Sequence, residues 1–282
     1  MRSNGPKLAW SAGSNDNNMA KHMNPIRVLA LSACLSSAAI ASAQASTLLY
    51  SQDFESPVGF VNNGKDLSQQ SVNDLYANQP AGFVFSQANT VETLKVDGTL
   101  AFGTGYQDPQ AKAGSYVLGM LSDRQNDLLG LSFDVGGYDF LNFQFDLSSI
   151  DLDCCGNPFV TAGAVPSVRI SLFDNPTGAA GLGTGTALDF VDLVGLAGPN
   201  KYTFNWSNHV AGLDAAGSTN GKVIMRIDLL TGGYAALDNF RIVASDTQGD
   251  VTVPEPGSIA LMLMGLGAVA AARRNARQAK RA

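Results

Sequence analysis

The sequence predicts an all-β chain, an antiparallel β-sandwich with an apolar segment near each end, and three observations predict it. From residue 46 to about residue 250, apolar residues recur at every second position, and a helical period is almost absent. Glycine, asparagine, aspartate and proline break these runs at short intervals, as at Asp97-Gly98, Asp174-Asn175-Pro176 and Asn220-Gly221. No repeat of fixed period is visible, which argues against a solenoid or a propeller.

The clearest strand places Leu141, Phe143, Phe145 and Leu147 on one face and Asn142, Gln144, Asp146 and Ser148 on the other. Val168, Ile170 and Leu172 repeat the pattern, as do Tyr202, Phe204 and Trp206, and then Val223, Met225, Ile227 and Leu229. Shorter runs predict strands at 47–54, 83–85, 116–120, 129–133, 188–191 and 237–243. About ten strands with one apolar face each require two sheets packed face to face. The run Gly178 to Gly185 is too glycine-rich for a strand and is expected to be an exposed loop, and 247–253 a short polar linker.

The segment before the sandwich is an export leader. Met23 begins it, Arg27 gives a positive start, Val28 to Ile40 an apolar stretch, and Ala41-Ser42-Ala43 or Ala43-Gln44-Ala45 a small-residue cleavage site. Residues 1–22 are polar and aperiodic and read as a disordered extension added by an upstream start; 23–45 is then the signal peptide and 46–246 the sandwich. Leu31-Ser32-Ala33-Cys34 offers a competing lipobox, but the apolar stretch runs on past Cys34 to the Ala-x-Ala site.

Residues 247–282 form the linker and the tail. Val253-Pro254-Glu255-Pro256-Gly257 is a rigid break, because each proline fixes φ and extends the residue before it. Ser258 to Ala272 is an uncharged apolar helix, and 273–282 is a basic end carrying Arg273, Arg274, Arg277, Lys280 and Arg281. Such charge keeps the extreme C-terminus in the cytoplasm and the body outside. At about 1.5 Å per residue a permanent span needs roughly 20 residues, so this helix is short for an anchor. The tail resembles a PEP-CTERM sorting signal of exported proteins in Gram-negative bacteria. The resemblance implies recognition by an exosortase, an integral-membrane cysteine transpeptidase. Pro254, Glu255 and Pro256 match the recognition element, processing is expected at Pro254 to Gly257, and Arg273 and Arg274 match the stop-transfer charges. It also implies an inner-membrane intermediate followed by the cell surface or extracellular matrix. A plain C-terminal membrane anchor is the alternative.

The exported body is acidic. Of 24 acids, Asp16 and Glu255 lie outside 46–253, and of 18 bases nine do, leaving 9 − 22 = −13. That charge opposes nucleic acid as a partner and allows divalent cations. With 45% apolar residues the chain has material for a large core. Beyond Cys34 the only cysteines are the adjacent Cys154 and Cys155, which are no disulfide framework but can close a vicinal bridge in an oxidising compartment.

Catalytic constellations are sparse. The body has one histidine, His209, in a stretch that reads as a surface loop, and no Gly-x-Ser-x-Gly elbow. Histidine-based metal sites fail on count, and no glycine-rich phosphate loop leads into a helix. Asp146, Asp151 and Asp153 lie near one another in sequence without matching a calcium loop. Trp206 shares the alternating face of Tyr202 and Phe204 and is expected in the core, whereas Tyr76, Tyr106, Tyr138 and Tyr234 lie near turns where sugars could stack.

Ser51-Gln52-Asp53-Phe54-Glu55 and Ala236-Leu237-Asp238-Asn239-Phe240-Arg241-Ile242 resemble the first and last strands of carbohydrate-binding-module-type, galactose-binding-like jelly rolls. That resemblance implies neighbouring terminal strands and a structural calcium at Glu55 and Asp238, with no other cofactor. The expected function is a non-enzymatic surface or matrix protein associated with exopolysaccharide or biofilm. Its alternatives are a carbohydrate-binding module and, less favoured, a secreted polysaccharide hydrolase.

Overall fold

The structure is a computed structural model that describes residues 46–60, 75–76, 85–88, 91–96, 106–120, 127–150, 153–154, 157–158, 163–231, 234–253, 264–269 and 273. Among the described residues thirteen strands run in chain order: β1 Thr47–Gln52, β2 Phe85–Ala88, β3 Val91–Lys95, β4 Tyr116–Met120, β5 Leu128–Asp134, β6 Phe140–Ser149, β7 Asp153–Cys154, β8 Asn157–Pro158, β9 Ser167–Asp174, β10 Ala187–Val194, β11 Ser207–Asp214, β12 Lys222–Thr231 and β13 Ala235–Ser245. They form two antiparallel sheets, β11-β6-β13-β4-β3 with β1 added on β13, and β10-β9-β12-β5-β2, plus the small β7–β8 ladder. The chain crosses between the two sheets except at the β3–β4 and β9–β10 pairs, giving a jelly-roll sandwich.

Period two decides which face goes inside. Leu141, Phe143, Phe145 and Leu147 of β6 meet Val168, Ile170 and Leu172 of β9 and Val223, Met225 and Ile227 of β12 in one core, each of them fully buried. Burying a side chain of this size contributes about 1.5–3 kcal/mol, so these three strands carry much of the sandwich. Aromatic edges lock it further: Phe145 stacks on Phe240 at 5.5 Å, and Phe54 meets Phe240 edge-on at 5.6 Å.

Two expectations are corrected. Residues 202–206 are no strand; Tyr202 has φ of +55°, and Phe204 and Trp206 pack from a loop onto the outer face of the first sheet. Their period of two reflects stacking, with Tyr106 against Phe204 and Phe204 against Trp206, both at 4.8 Å. Trp206 is buried as expected, but in this second cluster with Val117, Ile150 and Ala236. His209 is not in a surface loop; it lies in β11 with its ring 6.0 Å from that of Phe145.

The glycine-rich loop is no strand and largely exposed, as expected, and it lies on the outer face of the second sheet. Arg226 Nη1 donates to the carbonyls of Leu182 and Gly183 at 3.3 and 3.2 Å, and its guanidinium sits 4.6 Å over the Phe173 ring. A Cβ at Gly130 would overlap the Gly181 carbonyl, so the loop needs glycine beneath it.

By contacts the chain divides into two units, Met1–Ala43 and Gln44–Ala282, of which the first lies outside the described residues. So do the signal helix, Asp151, Cys155, Pro254 to Gly257, Arg274 and the side chain of Cys154. Residues 264–269 are helical with Met264, Leu266 and Val269 exposed, and no helix among the described residues is long and apolar enough to cross a membrane. Substituting Gly130→Ala should destabilise the sandwich by about 1–3 kcal/mol in denaturant unfolding and open the loop to proteolysis. Unchanged stability and an equally resistant loop would contradict its docking.

Candidate functional site

The outer face of the first sheet is where polar chemistry gathers. It is built from the residues of β6 that alternate with its core phenylalanines, and from their neighbours on β11 and β13. In the ladder Asn208 pairs with Asp146 and Asp146 with Asp238; one step along, Val210 pairs with Gln144 and Gln144 with Arg241; further on, Gly212 pairs with Asn142 and Asn142 with Val243. These rows hold, in turn, an acid cluster, a cleft and an anchored strap.

The acid row begins at an irregularity in β13. Its first residues pair with β4 along Ala235 to Leu237, and on the same side its later residues pair with β1 along Phe240 to Ala244. Between them the register shifts, and Asn239 takes φ of +54°. This bulge opens a fork between β4 and β1. Glu55, just past β1, spans it: its carboxylate accepts the Ser115 amide at 2.8 and 2.9 Å and the Tyr116 amide at 3.1 Å. A Cβ at Gly114, whose φ is +53°, would overlap that carboxylate. Asp108 organises the approach by accepting the amides of Gln110 and Ala113 at 3.1 and 2.6 Å.

Asp146 and Asp238 face each other directly across β6 and β13, a destabilising arrangement for two like charges. The cluster resolves it asymmetrically. Asp146 receives Lys112 Nζ at 2.8 Å, Asn208 Nδ2 at 3.1 Å and Asn239 Nδ2 at 3.1 Å. Asp238 is 1% exposed and accepts only the Asn239 amide, at 2.6 Å, among the bonds resolved. Burial pushes its carboxyl up to about 9, helped by the charges of Glu55, Asp146 and Asp53 and opposed by the Asn239 amide. It is therefore protonated at neutral pH.

Glu55 and Asp238, predicted as a calcium pair, are thus neighbours. A hard cation takes about six to eight oxygens. Both Glu55 oxygens already face backbone amides, and among the described residues no group of three or more His, Cys, Asp or Glu is placed to hold a metal ion. Without a bound cation, burial of Asp238 favours its protonated form.

Beside this cluster lies an open polar cleft of about 290 Å³ lined by Ser51, Gln52, Asp53, Gln144, Asn239, Phe240 and Arg241. Sequence reasoning missed it, because Gln144 and Arg241 meet only through the β6–β13 register. The tyrosines considered as stacking platforms do not supply one. Tyr76 and Tyr234 are buried, Tyr106 is half-buried in the Phe204 stack, and Tyr138 is half-buried and shares a hydrogen bond with Thr47 at 3.1 Å. Ser207 and His209 approach each other, Oγ to Nε2 at 2.9 Å, while the nearby carboxylate of Asp146 projects from the opposite face of the sheet. Burial lowers the pKa of His209.

The sign of the Asp238 effect is definite. Its folded pKa lies above its unfolded value, so the stability linked to its proton is fully present below about pH 4 and is lost as pH rises through about 9. His209 acts oppositely, gaining stability as pH rises toward its unfolded value. Comparison with Asp238→Asn isolates the carboxyl: thermal unfolding of the wild type should weaken from pH 5 to pH 9 relative to the variant, with or without millimolar calcium. A slope that calcium abolishes would place a cation where the proton is assigned.

No curated protein sequence matches the chain. Among solved structures it is similar to the C-terminal family 22 carbohydrate-binding module of Clostridium thermocellum Xyn10B, at 13% identity over 72% of this chain and 94% of that one, with a TM-score of 0.37. It is also similar to a carbohydrate-binding module in complex with β-1,4-galactotriose, at 12% identity over 58% and 90%, with a TM-score of 0.32. A third similarity is to the enzymatically active domain of tailspike protein 4 of bacteriophage CBA120, at 13% identity and a TM-score of 0.32, covering 57% of this chain and only 19% of the tailspike. At these scores the fold assignment rests on the strand order described above. The decisive match is local: residues 252–278 are a PEP-CTERM protein-sorting motif, so this is an exported protein carrying the substrate signal of an exosortase.

Proposed function

We propose that the protein is a non-enzymatic component of the cell surface or extracellular matrix of a Gram-negative bacterium, handled at its tail by an exosortase and associated there with exopolysaccharide. The sorting motif at 252–278, joined directly to the sandwich, carries this reading. The acidic body fits a role outside the cell without nucleic acid. In this account the exosortase acts near Pro254 to Gly257, Arg273 and Arg274 hold the precursor in the inner membrane, and Cys154 and Cys155 are free to form a vicinal bridge after export.

Carbohydrate binding by the sandwich itself is a second reading, favoured by the cleft. The hydroxyl of Ser51, the carboxylate of Asp53, the amide of Gln144 and the guanidinium of Arg241 offer the mixed donors and acceptors that a polyhydroxylated ligand requires.

Mass spectrometry of the mature C-terminus should find chains that end well before Ala282 in cells with an exosortase and intact chains in cells lacking it. Intact chains in both would contradict the sorting reading and favour a plain anchor. Exopolysaccharide pull-down should retain the wild-type body and lose at least about fivefold in affinity with Gln144→Ala, the scale of one buried hydrogen bond. Retention that is indifferent to Gln144 would remove the cleft from the account.

A further inference from the structure

The residues between sandwich and sorting motif are not a free linker. After β13 the chain turns back over the outer face of the first sheet, and almost every residue from Ser245 to Thr252 is bonded. Asn142, fully buried in β6, donates from Nδ2 to Ser245 Oγ at 2.8 Å and to the Thr247 carbonyl at 3.2 Å, while its Oδ1 accepts the Gly249 amide at 2.6 Å. Gln248 Nε2 donates to the Gly212 carbonyl at 2.9 Å, and Arg241 Nε donates to the Val251 carbonyl at 2.8 Å. Ser46, one residue before β1, donates from Oγ to the Thr252 carbonyl. Within the strap, Thr252 donates its amide and its hydroxyl to Asp250 at 2.9 and 2.6 Å.

The sheet is shaped for this segment. A Cβ at Gly212 would overlap Asn142 Oδ1 and crowd Gly249 and Gln248, so glycine at this point of β11 lets the strap lie flat. Gly249 turns it with φ of +76°, a conformation that other residues rarely adopt. Asn142 is a buried polar residue whose partners are the Ser245 hydroxyl, the Thr247 carbonyl and the Gly249 amide; without the strap it would be exposed or unsatisfied. Thr252, bonded through its carbonyl to Ser46, is also the first residue of the sorting motif.

We propose that Ser245 to Thr252 is a folding-dependent strap that removes all slack between the sandwich and the sorting motif, so that strap opening limits the rate at which the tail is processed; Asn142, Gly212 and Arg241 are its positioning residues. The inference rests on the sorting reading given above. Its physical basis is that a protease or transpeptidase binds its substrate as an extended segment on both sides of the bond it attacks. Here the residues on the body side are held against a sheet through Thr252, and a bonded, packed segment is cut in proportion to the fraction of time it is open.

Two variants separate the strap from the fold. Asn142→Ala removes its central anchor, and a Gly-Ser-Gly-Ser insertion between Val251 and Thr252, ahead of the sorting motif, restores slack while leaving the bonds of Asn142, Gln248 and Arg241 in place. In the full-length chain, limited digestion with a non-specific protease should leave 245–252 uncut in the wild type and cut it in Asn142→Ala, with the β-sheet circular dichroism and cooperative unfolding retained. In pulse-chase labelling of cells that contain an exosortase, both variants should lose the tail about fivefold faster or more. Wild-type rates in the insertion variant, which cannot fail through misfolding of the sheet, would overturn the proposal, as would equal digestion of wild type and Asn142→Ala. Absence of tail loss in every chain would contradict the sorting reading instead, and the digestion result would then decide the strap on its own.

Discussion

One constraint organises the first sheet: a single side of β13 has to serve two neighbours. β4 takes its start and β1 takes its end, and the bulge at Asp238 to Phe240 is the price of the change. Without a bridge, the fork would leave the amides of Ser115 and Tyr116 at the entry to β4 without a partner in the ladder. Glu55 supplies both, reaching from the exit of β1. β1, which opens the sandwich, thus pairs directly with β13, which closes it, and is tied to β4 through one carboxylate. The aromatic contacts of Phe54 with Tyr76 and Phe240, at 5.2 and 5.6 Å, press the same corner from the core side.

That corner also fixes the electrostatics of the outer face. Bringing β13 beside β6 in this register sets Asp238 opposite Asp146, and the sheet accommodates them by giving one carboxylate a lysine and two asparagine amides and the other a proton. The cleft at Gln144 and Arg241 and the strap on Asn142 follow one and two ladder steps along. Recognition chemistry, if it resides in the cleft, is thus positioned by the same register that seats the approach to the sorting motif. Arg241 belongs to both, lining the cleft and holding the Val251 carbonyl.

Much of the fold was legible because it depends on local alternation. β6, β9 and β12 show their core faces in sequence, and β4 and β5 have nearly the predicted bounds. β11 was not legible, since Ser207-Asn208-His209-Val210-Ala211-Gly212 has little apolar contrast; it is an edge strand, paired on one side to β6 and flattened by Gly212 for the strap. β3, Val91–Lys95, is likewise a short edge strand. Residues 202–206 misled in the opposite sense, because stacked aromatics in a loop imitate a strand. Of the site, Glu55 and Asp238 were legible as chain-end acids. Lys112, Asn142 and Asn208 were not, since what they meet is set by pairing across many residues of sequence rather than by spacing. The strap read as a linker because its polarity is satisfied by the sheet, and composition alone does not distinguish a bonded polar segment from a solvated one.

The central claim, that Glu55 ties the exit of β1 to the entry of β4 and so closes the fork beside the β13 bulge, is tested most directly by native-state hydrogen exchange of the Ser115 and Tyr116 amides. In the wild type both should exchange only through global unfolding, and in Glu55→Ala both should exchange through local opening while the β6 amides remain protected. Exchange of Ser115 and Tyr116 at the rate of exposed loop amides in the wild type would contradict it.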